Sequence, residues 1–262
     1  MIDPLKHDTP IVLARGRAAE QIINDLRDQI LQGRYARGSR LPSERELAQH
    51  YQVSVPTVRE AIRGLAAVHL VEARHGTGVY VTAAADLMFA MAASAVIELE
   101  NVQLLDVLDV FEPLLRKAAT LACSLATDAE LQGVADELNS LDAAGDTEAM
   151  GISLKNFISR LVDASHNVLI ATIGRFLADV LIEIVQDQAV GLGDKWQPVF
   201  AELGEDRRRL AQALVKRRVR DAERLTQEYL RHTKNLVSAT LDANAHEGQA
   251  VMRRAAQKVR AR

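Results

Sequence analysis

Apolar positions recur every three or four residues along most of this chain, and the clearest departure from that period lies near residue 75. Ile22, Ile23, Leu26 and Ile30 form a first helical stripe, which Gly33 can end. Leu47 and Tyr51 face inward on a second helix. Ahead of them stands Ser43-Glu44-Arg45-Glu46, the S-x-x-E pattern in which a serine caps the helix and a glutamate reaches back to the cap. Gln52-Val53 makes a break, Ser54 can cap again, and Val58, Ala61, Ile62 and Leu65 form a third stripe. Opposite that stripe stand Val55, Arg59 and Arg63 at i, i+4 and i+8. Leu70–Ala73 and Val79–Val81 alternate with period two, and the Arg74-His75-Gly76-Thr77-Gly78 turn between them permits a tight hairpin. Two short helices at a tight turn, a row of arginines on the second and a hairpin after it make the geometry of a winged helix-turn-helix. Such a domain lays its second helix in the major groove of duplex DNA.

Beyond residue 100 the two-residue period is absent. Helical spacing of apolar residues covers 103–125, 128–143, 147–165, 168–190, 197–217 and 219–243. Asp128, Asp146 and Asn167 stand near starts, while Gly145, Gly191 and Gly193 mark breaks. The fold class is therefore mostly α: a winged helix-turn-helix domain with a small β-hairpin wing, then an all-α antiparallel bundle of six or seven helices. Bundles of this kind commonly enclose a pocket. The expected organisation is an N-terminal tail at 1–10, the head at 11–82, a linker and the start of the second domain at 83–100, the helical domain at 101–245, and a basic, solvated tail at 246–262.

Length and charge fit this division. A chain of 262 residues suits two domains. Residues 1–82 hold eleven Lys and Arg against nine Asp and Glu, a net +2; the rest holds twenty-one against twenty-six, a net −5. The signs are those of a DNA-facing front and an acidic rear. The one cysteine, Cys123, lies in a helical run and reads as a small buried hydrophobe, which suits a reducing cytoplasm. No apolar run approaches the roughly 18–20 residues of a membrane span, and Met1-Ile2-Asp3-Pro4 lacks the basic-then-apolar start of a signal peptide. A soluble, cytoplasmic protein with no membrane partner is expected.

Residues 11–82 resemble the N-terminal domain of the GntR family of bacterial transcription regulators. The likeness rests on Gly38 through Ala48, Val53 through Ala61, and the wing glycines Gly76 and Gly78. The second part resembles the FadR-type effector domain that follows many such heads. Three fragments carry this: Leu105-Asp106-Val107 through Phe111-Glu112-Pro113; Asn156-Phe157 through Leu161 with Ala164-Ser165-His166-Asn167; and Leu210, Ala213-Leu214 and Ala222 through Leu230.

The resemblance implies a homodimer reading a near-palindromic operator in double-stranded DNA, with repression relieved by an effector as the expected direction. It implies DNA contacts from Arg45, Thr57 and Arg59, and from His75, Gly76 and Thr77 in the wing; Arg63, from the outer row of its helix, and Ser54 and Val55 at the turn are further candidates. Arg59 and Arg45 are the candidates for base edges. Family members usually carry arginine where this chain has Val55. Valine can meet a thymine methyl but cannot form the bidentate pair with guanine. Many members of the subfamily hold a divalent metal with an aspartate and three histidines. Here Leu154, Ile158, Arg207 and Tyr229 fall at those positions, so neither a metal nor any other cofactor is expected. Leu108 stands where the opening helix usually has arginine. The expected pocket thus has an apolar wall of Leu108, Leu154 and Ile158, facing Arg207 and Tyr229. It suits an anionic organic effector such as a fatty-acyl or aromatic acid.

Three rivals remain at this point: a metal-dependent sensor, a DNA-binding architectural protein without effector, and an enzyme fused to a DNA-binding head. The enzyme requires a catalytic constellation. Asp106, Asp109 and Glu112 share neighbouring turns without a histidine, His166-Asn167 reads as a turn, and His232 and His246 fall in polar settings.

Overall fold

The computed structural model describes residues 17–143, 147–192, 201–242 and 254–259. The expected N-terminal tail, Gly145, Asp146, Gly193, His246 and the two ends of the basic tail lie outside the described residues. The chain divides into two compact units, Met1–Met88 and Phe89–Arg262.

In the first unit, α1 (Ala18–Leu31), α2 (Glu44–His50) and α3 (Val55–Ala67) precede β1 (Val71–Arg74) and β2 (Gly78–Val81). The strands pair antiparallel, with Val71 opposite Val81 and Arg74 opposite Gly78. Both predicted caps form. Ser43 Oγ accepts from the Glu46 N–H while Glu46 returns to the Ser43 N–H at 2.7 Å, and Ser54 Oγ accepts from Thr57 N–H. The first bond pair holds the Glu46 carboxyl below the usual carboxylate range. Ile22, Leu26, Leu47, Tyr51, Val58, Ala61, Ile62 and Leu65 all enter one core, so the three stripes meet as their spacing requires. The wing is broader than its two alternating runs suggest. Gly38 N–H donates to Val81 O, Leu41 N–H to Val79 O and Val81 N–H to Ser39 O, so residues 38–41 line the free edge of β2.

In the second unit α5 (Leu104–Leu125) packs along α10 (Val219–Asp242) and α7 (Thr147–Ala164). α7 also packs on α6 (Asp128–Ala143) and α8 (Val168–Leu192), and α9 (Gly204–Val215) on α6 and α10. The six predicted spans therefore correspond to six helices. Asp128 stands first in α6, near the start as expected; the cap itself is Thr127, whose hydroxyl accepts from the Glu130 N–H while Glu130 accepts from the Thr127 N–H, a second capping box. Gly191 is the penultimate residue of α8.

The expected linker is helical, since Ala85–Leu99 forms α4 and the boundary between units falls within it. From Phe89 on, α4 belongs to the bundle, with Ala90, Ser94 and Ile97 buried and Phe89 edge-on to Phe176 at 5.4 Å. The basic tail, finally, is not wholly solvated. Residues 254–259 are helical, Ala255, Ala256 and Val259 are buried, and Ser94 Oγ donates to Ala256 O at 3.1 Å. Arg254 and Lys258 are exposed on the other side of that helix, and Lys258 reaches Glu183.

Cys123 is buried, and burial pushes its thiol up, partly offset by Arg217. Arg217 lies at the α9–α10 turn with φ +51, and its guanidinium donates to Cys123 O, Ala126 O and Asp128. That one side chain thus satisfies carbonyls left open at the end of α5.

Candidate nucleic-acid interface and effector cavity

In the first unit, α3 presents its arginines because its other face is consumed by the core. Arg59 and Arg63 are exposed, and Arg63 has no ion-pair partner among the described residues. The same holds for Arg45 on α2. Arg59 is held: its Nε–H donates to Glu44 Oε2 at 2.7 Å. Thr57 is committed to the cap, its hydroxyl 2.8 Å from that of Ser54, so the bonds of Ser54 and Thr57 first serve the helix start. Val55 corrects the expectation of a fully outward row, being half-buried against the core of the unit. As the first residue of α3, it turns partly under the helix while Arg59 and Arg63 stay outside. His75, Gly76 and Thr77 are exposed at the wing turn, where Gly76 has φ +71, a region glycine enters without strain.

Two cationic residues join this surface that local spacing did not reveal. A Cβ on Gly78 would meet Arg40 Nε at 2.5 Å, so this glycine lets the Arg40 side chain lie across the wing. Arg74 stacks over the Tyr80 ring at 4.8 Å to its centroid. Gly78 was a visible sign that something crosses the hairpin there; the identity of the crossing residue was not.

In the second unit, the bundle encloses a cavity of about 80 Å³. Leu108 and Phe111 of α5, Leu154 and Ile158 of α7, and Tyr229 of α10 are among its lining residues. Four of the five residues expected to form the pocket are thus brought together. Arg207 is the exception. It is fully buried on α9, one turn after the cavity-lining Leu203, but is not itself part of the lining. Threading a motif places a residue on a helix and leaves open where a long side chain runs.

Where the resemblance implies a metal, the donors present are two hydrocarbons, a guanidinium and a phenol. That set does not fit a divalent ion. Among the described residues no group of three or more His, Cys, Asp or Glu is placed to hold one. The carboxylates of α5 have separate structural partners: Asp106 accepts from the Gln103 N–H, Asp109 pairs with Lys234, and Glu112 pairs with Arg116.

One polar cluster escaped sequence reasoning. His232 Nδ1 lies 2.8 Å from Asp206 Oδ2, and its Nε2 lies 3.3 Å from Glu202 Oε1. The Asp206 bond raises the imidazole pKa above its ordinary value, burial opposes this, and Glu202 adds to the rise. The sign of the pH effect follows. A histidine raised in the folded state stabilises fully below its unfolded pKa of about 6.5, and that contribution is lost as pH climbs through the higher folded value. At this partly exposed site the gain is under about 1 kcal/mol. Melting curves of the parent and His232→Asn should therefore diverge at pH 6 and converge by pH 8.5. A gap that stays constant across this range would refute the assignment.

Comparison with known proteins agrees with both halves. The profile described as "Bacterial regulatory proteins, gntR family" matches residues 18–81, and that of the FCD domain matches residues 105–232. The HTH-type transcriptional regulator LutR of Bacillus subtilis (strain 168) is 27% identical over 219 residues, spanning 82% of this chain and 99% of LutR. The HTH-type transcriptional repressor NanR of Klebsiella aerogenes is 39% identical over 64 residues, 24% of this chain and 25% of NanR. The solved structure of Streptococcus agalactiae GntR superposes with a TM-score of 0.62 at 23% identity, covering 83% of this chain and 99% of that one, a likeness of fold. No helix among the described residues is long and apolar enough to cross a membrane. The chain belongs to the GntR family of bacterial transcription regulators, with a DNA-binding head followed by an FCD effector-binding domain, and its relatives are regulators rather than enzymes.

Proposed function

We propose that this regulator is a homodimeric, cytoplasmic repressor of the FadR-type subfamily. Its two heads read the half-sites of a near-palindromic operator, and a small organic effector, bound without a metal, releases it. The observation that carries the effector reading is the apolar cavity between α5, α7 and α10, whose lining includes four of the positions singled out from sequence. The operator reading is supported by the exposed arginines of α3 and the wing beside them. Repression is supported by NanR, a transcriptional repressor that shares a 64-residue match with this chain. The cytoplasm is where a bacterial chromosome is read.

The size of the cavity bears on mechanism. At about 80 Å³ it is well below the roughly 300 Å³ of an ordinary ligand pocket, so an occupant must part the surrounding helices. An effector can shift the protein between two arrangements only by its differential affinity for them. A site that must widen to be filled supplies such a difference. The occupant presents a hydrocarbon or aromatic body to Leu108, Leu154, Ile158 and Tyr229. Its anionic end pairs with Arg207 once the bundle has widened beyond Leu203.

A thermal-shift screen of organic acids and acyl thioesters tests the ligand class. With any acid found, Arg207→Ala should weaken its binding about tenfold or more while DNA affinity without ligand stays within twofold. Equal losses of ligand binding, DNA binding and melting temperature would instead make Arg207 a support of the fold.

A further inference from the structure

Glu44 opens α2, and Arg59 lies on the second turn of α3. Two carboxylates stand in the first turn of α2, and their duties differ. Glu46 is committed to the Ser43 N–H in the capping box, while Glu44 accepts the Arg59 Nε–H at 2.7 Å. The side chains of Arg59 and Glu44 are 57% and 33% exposed, so the pair does little for stability in water. Its consequence is geometric. A guanidinium carries five N–H donors in a rigid plane. With Nε occupied by Glu44, the two terminal nitrogens form the outward fork, and two parallel donors of that kind match guanine O6 and N7. A held arginine reaches a base edge with less ordering left to do than one free to sample its rotamers.

The carboxylate acts a second way. A negative charge beside the reading helix repels phosphate, and that repulsion is compensated only where Arg59 finds a base to pair with. It is therefore an element of discrimination as much as of attraction.

We propose that Glu44 is a positioning residue that sets sequence specificity, by holding Arg59 through Nε and by penalising duplexes that give its fork no partner. The proposal rests on the reading of α3 as the base-reading helix. The test uses the full chain and a site selected from a library of randomised duplexes, with a scrambled duplex of equal length and composition as the competitor. Both dissociation constants are measured at one fixed salt concentration.

Glu44→Ala should lower the ratio of specific to scrambled affinity about tenfold, with scrambled-duplex binding becoming tighter. Glu44→Gln keeps an acceptor of the same shape but loses the charge, and should lower the ratio about threefold; being isosteric, it also serves if the alanine variant folds poorly. Repeating the selection with Glu44→Ala should blur the preference at one base step per half-site. Both ratios staying within twofold of the parent, while Arg59→Ala collapses its own, would overturn the role of Glu44 alone. An Arg59→Ala ratio equal to the parent's would overturn it together with the reading of α3.

Discussion

Arg59→Ala should reduce affinity for the selected operator by about thirtyfold or more and leave the oligomeric state and the melting temperature unchanged. A bidentate arginine–guanine pair is worth roughly 1–3 kcal/mol of discrimination, and a twofold-symmetric operator presents the contact once per half-site. The doubled loss of about 2–6 kcal/mol spans roughly thirty- to twenty-five-thousand-fold. Stability should not follow, because Arg59 is exposed and its partner among the described residues is the partly exposed Glu44. The form of the loss matters as much as its size. Removing a base contact weakens the chosen site far more than a scrambled duplex and leaves the salt dependence nearly unchanged. Removing a phosphate contact weakens all duplexes alike and flattens that dependence. Titrations of both duplexes at three salt concentrations separate the two. A uniform, salt-sensitive loss would move Arg59 from the base edges to the backbone.

The head was legible because its determinants are local. Ser43 with Glu46, Ser54 with Thr57, and stripes such as Val58, Ala61, Ile62 and Leu65 each lie within one or two helical turns, where spacing alone decides contact. What stayed hidden joins distant positions. Arg40 crosses to Gly78, and Arg59 meets Glu44 from another helix. No periodicity encodes such pairings. The half-buried setting of Val55 has the same origin, since the neighbours it packs on lie in other elements.

In the second unit the six long helices were equally plain. Residues 83–100 hold the boundary between the two units, as expected of a linker and the start of the second domain, and their alanines, strong helix formers, make Ala85–Leu99 helical. The stretch 254–259 was set aside for its arginines and lysine, although Ala255, Ala256 and Val259 make a short apolar face between them. Thr127 with Glu130 repeats the Ser43 and Glu46 pattern and was visible in the sequence, one residue before the Asp128 that marked the start. The cavity was half legible. Motif positions located Leu108, Leu154, Ile158 and Tyr229, whereas Phe111, Phe157 and Leu203, which line the same space, were not singled out.

That distinction between core and pocket is what Phe111→Ala should decide. Phe111 is buried on α5 and lines the cavity beside Leu108 and Phe157. Truncating a buried phenylalanine typically costs about 3–5 kcal/mol, because lost transfer energy adds to an unfilled void. For a domain of this size that corresponds to a fall in melting temperature of roughly 6–20 °C. The void adjoins an existing apolar cavity, and such spaces stay dry and accept small hydrocarbons.

Toluene should therefore restore part of the lost stability in the variant, by about 2.7 kcal/mol at a concentration a hundredfold above its dissociation constant, and change the parent little. A loss under about 1 kcal/mol with no toluene effect would mean that the neighbouring helices close over the gap, and that this space is packing rather than a ligand site. The decisive reading is operator affinity. If α5, α7 and α10 transmit occupancy to the heads, toluene should weaken operator binding by Phe111→Ala and leave the parent's unaltered. The parent's cavity, at about 80 Å³, offers toluene less room than the enlarged one.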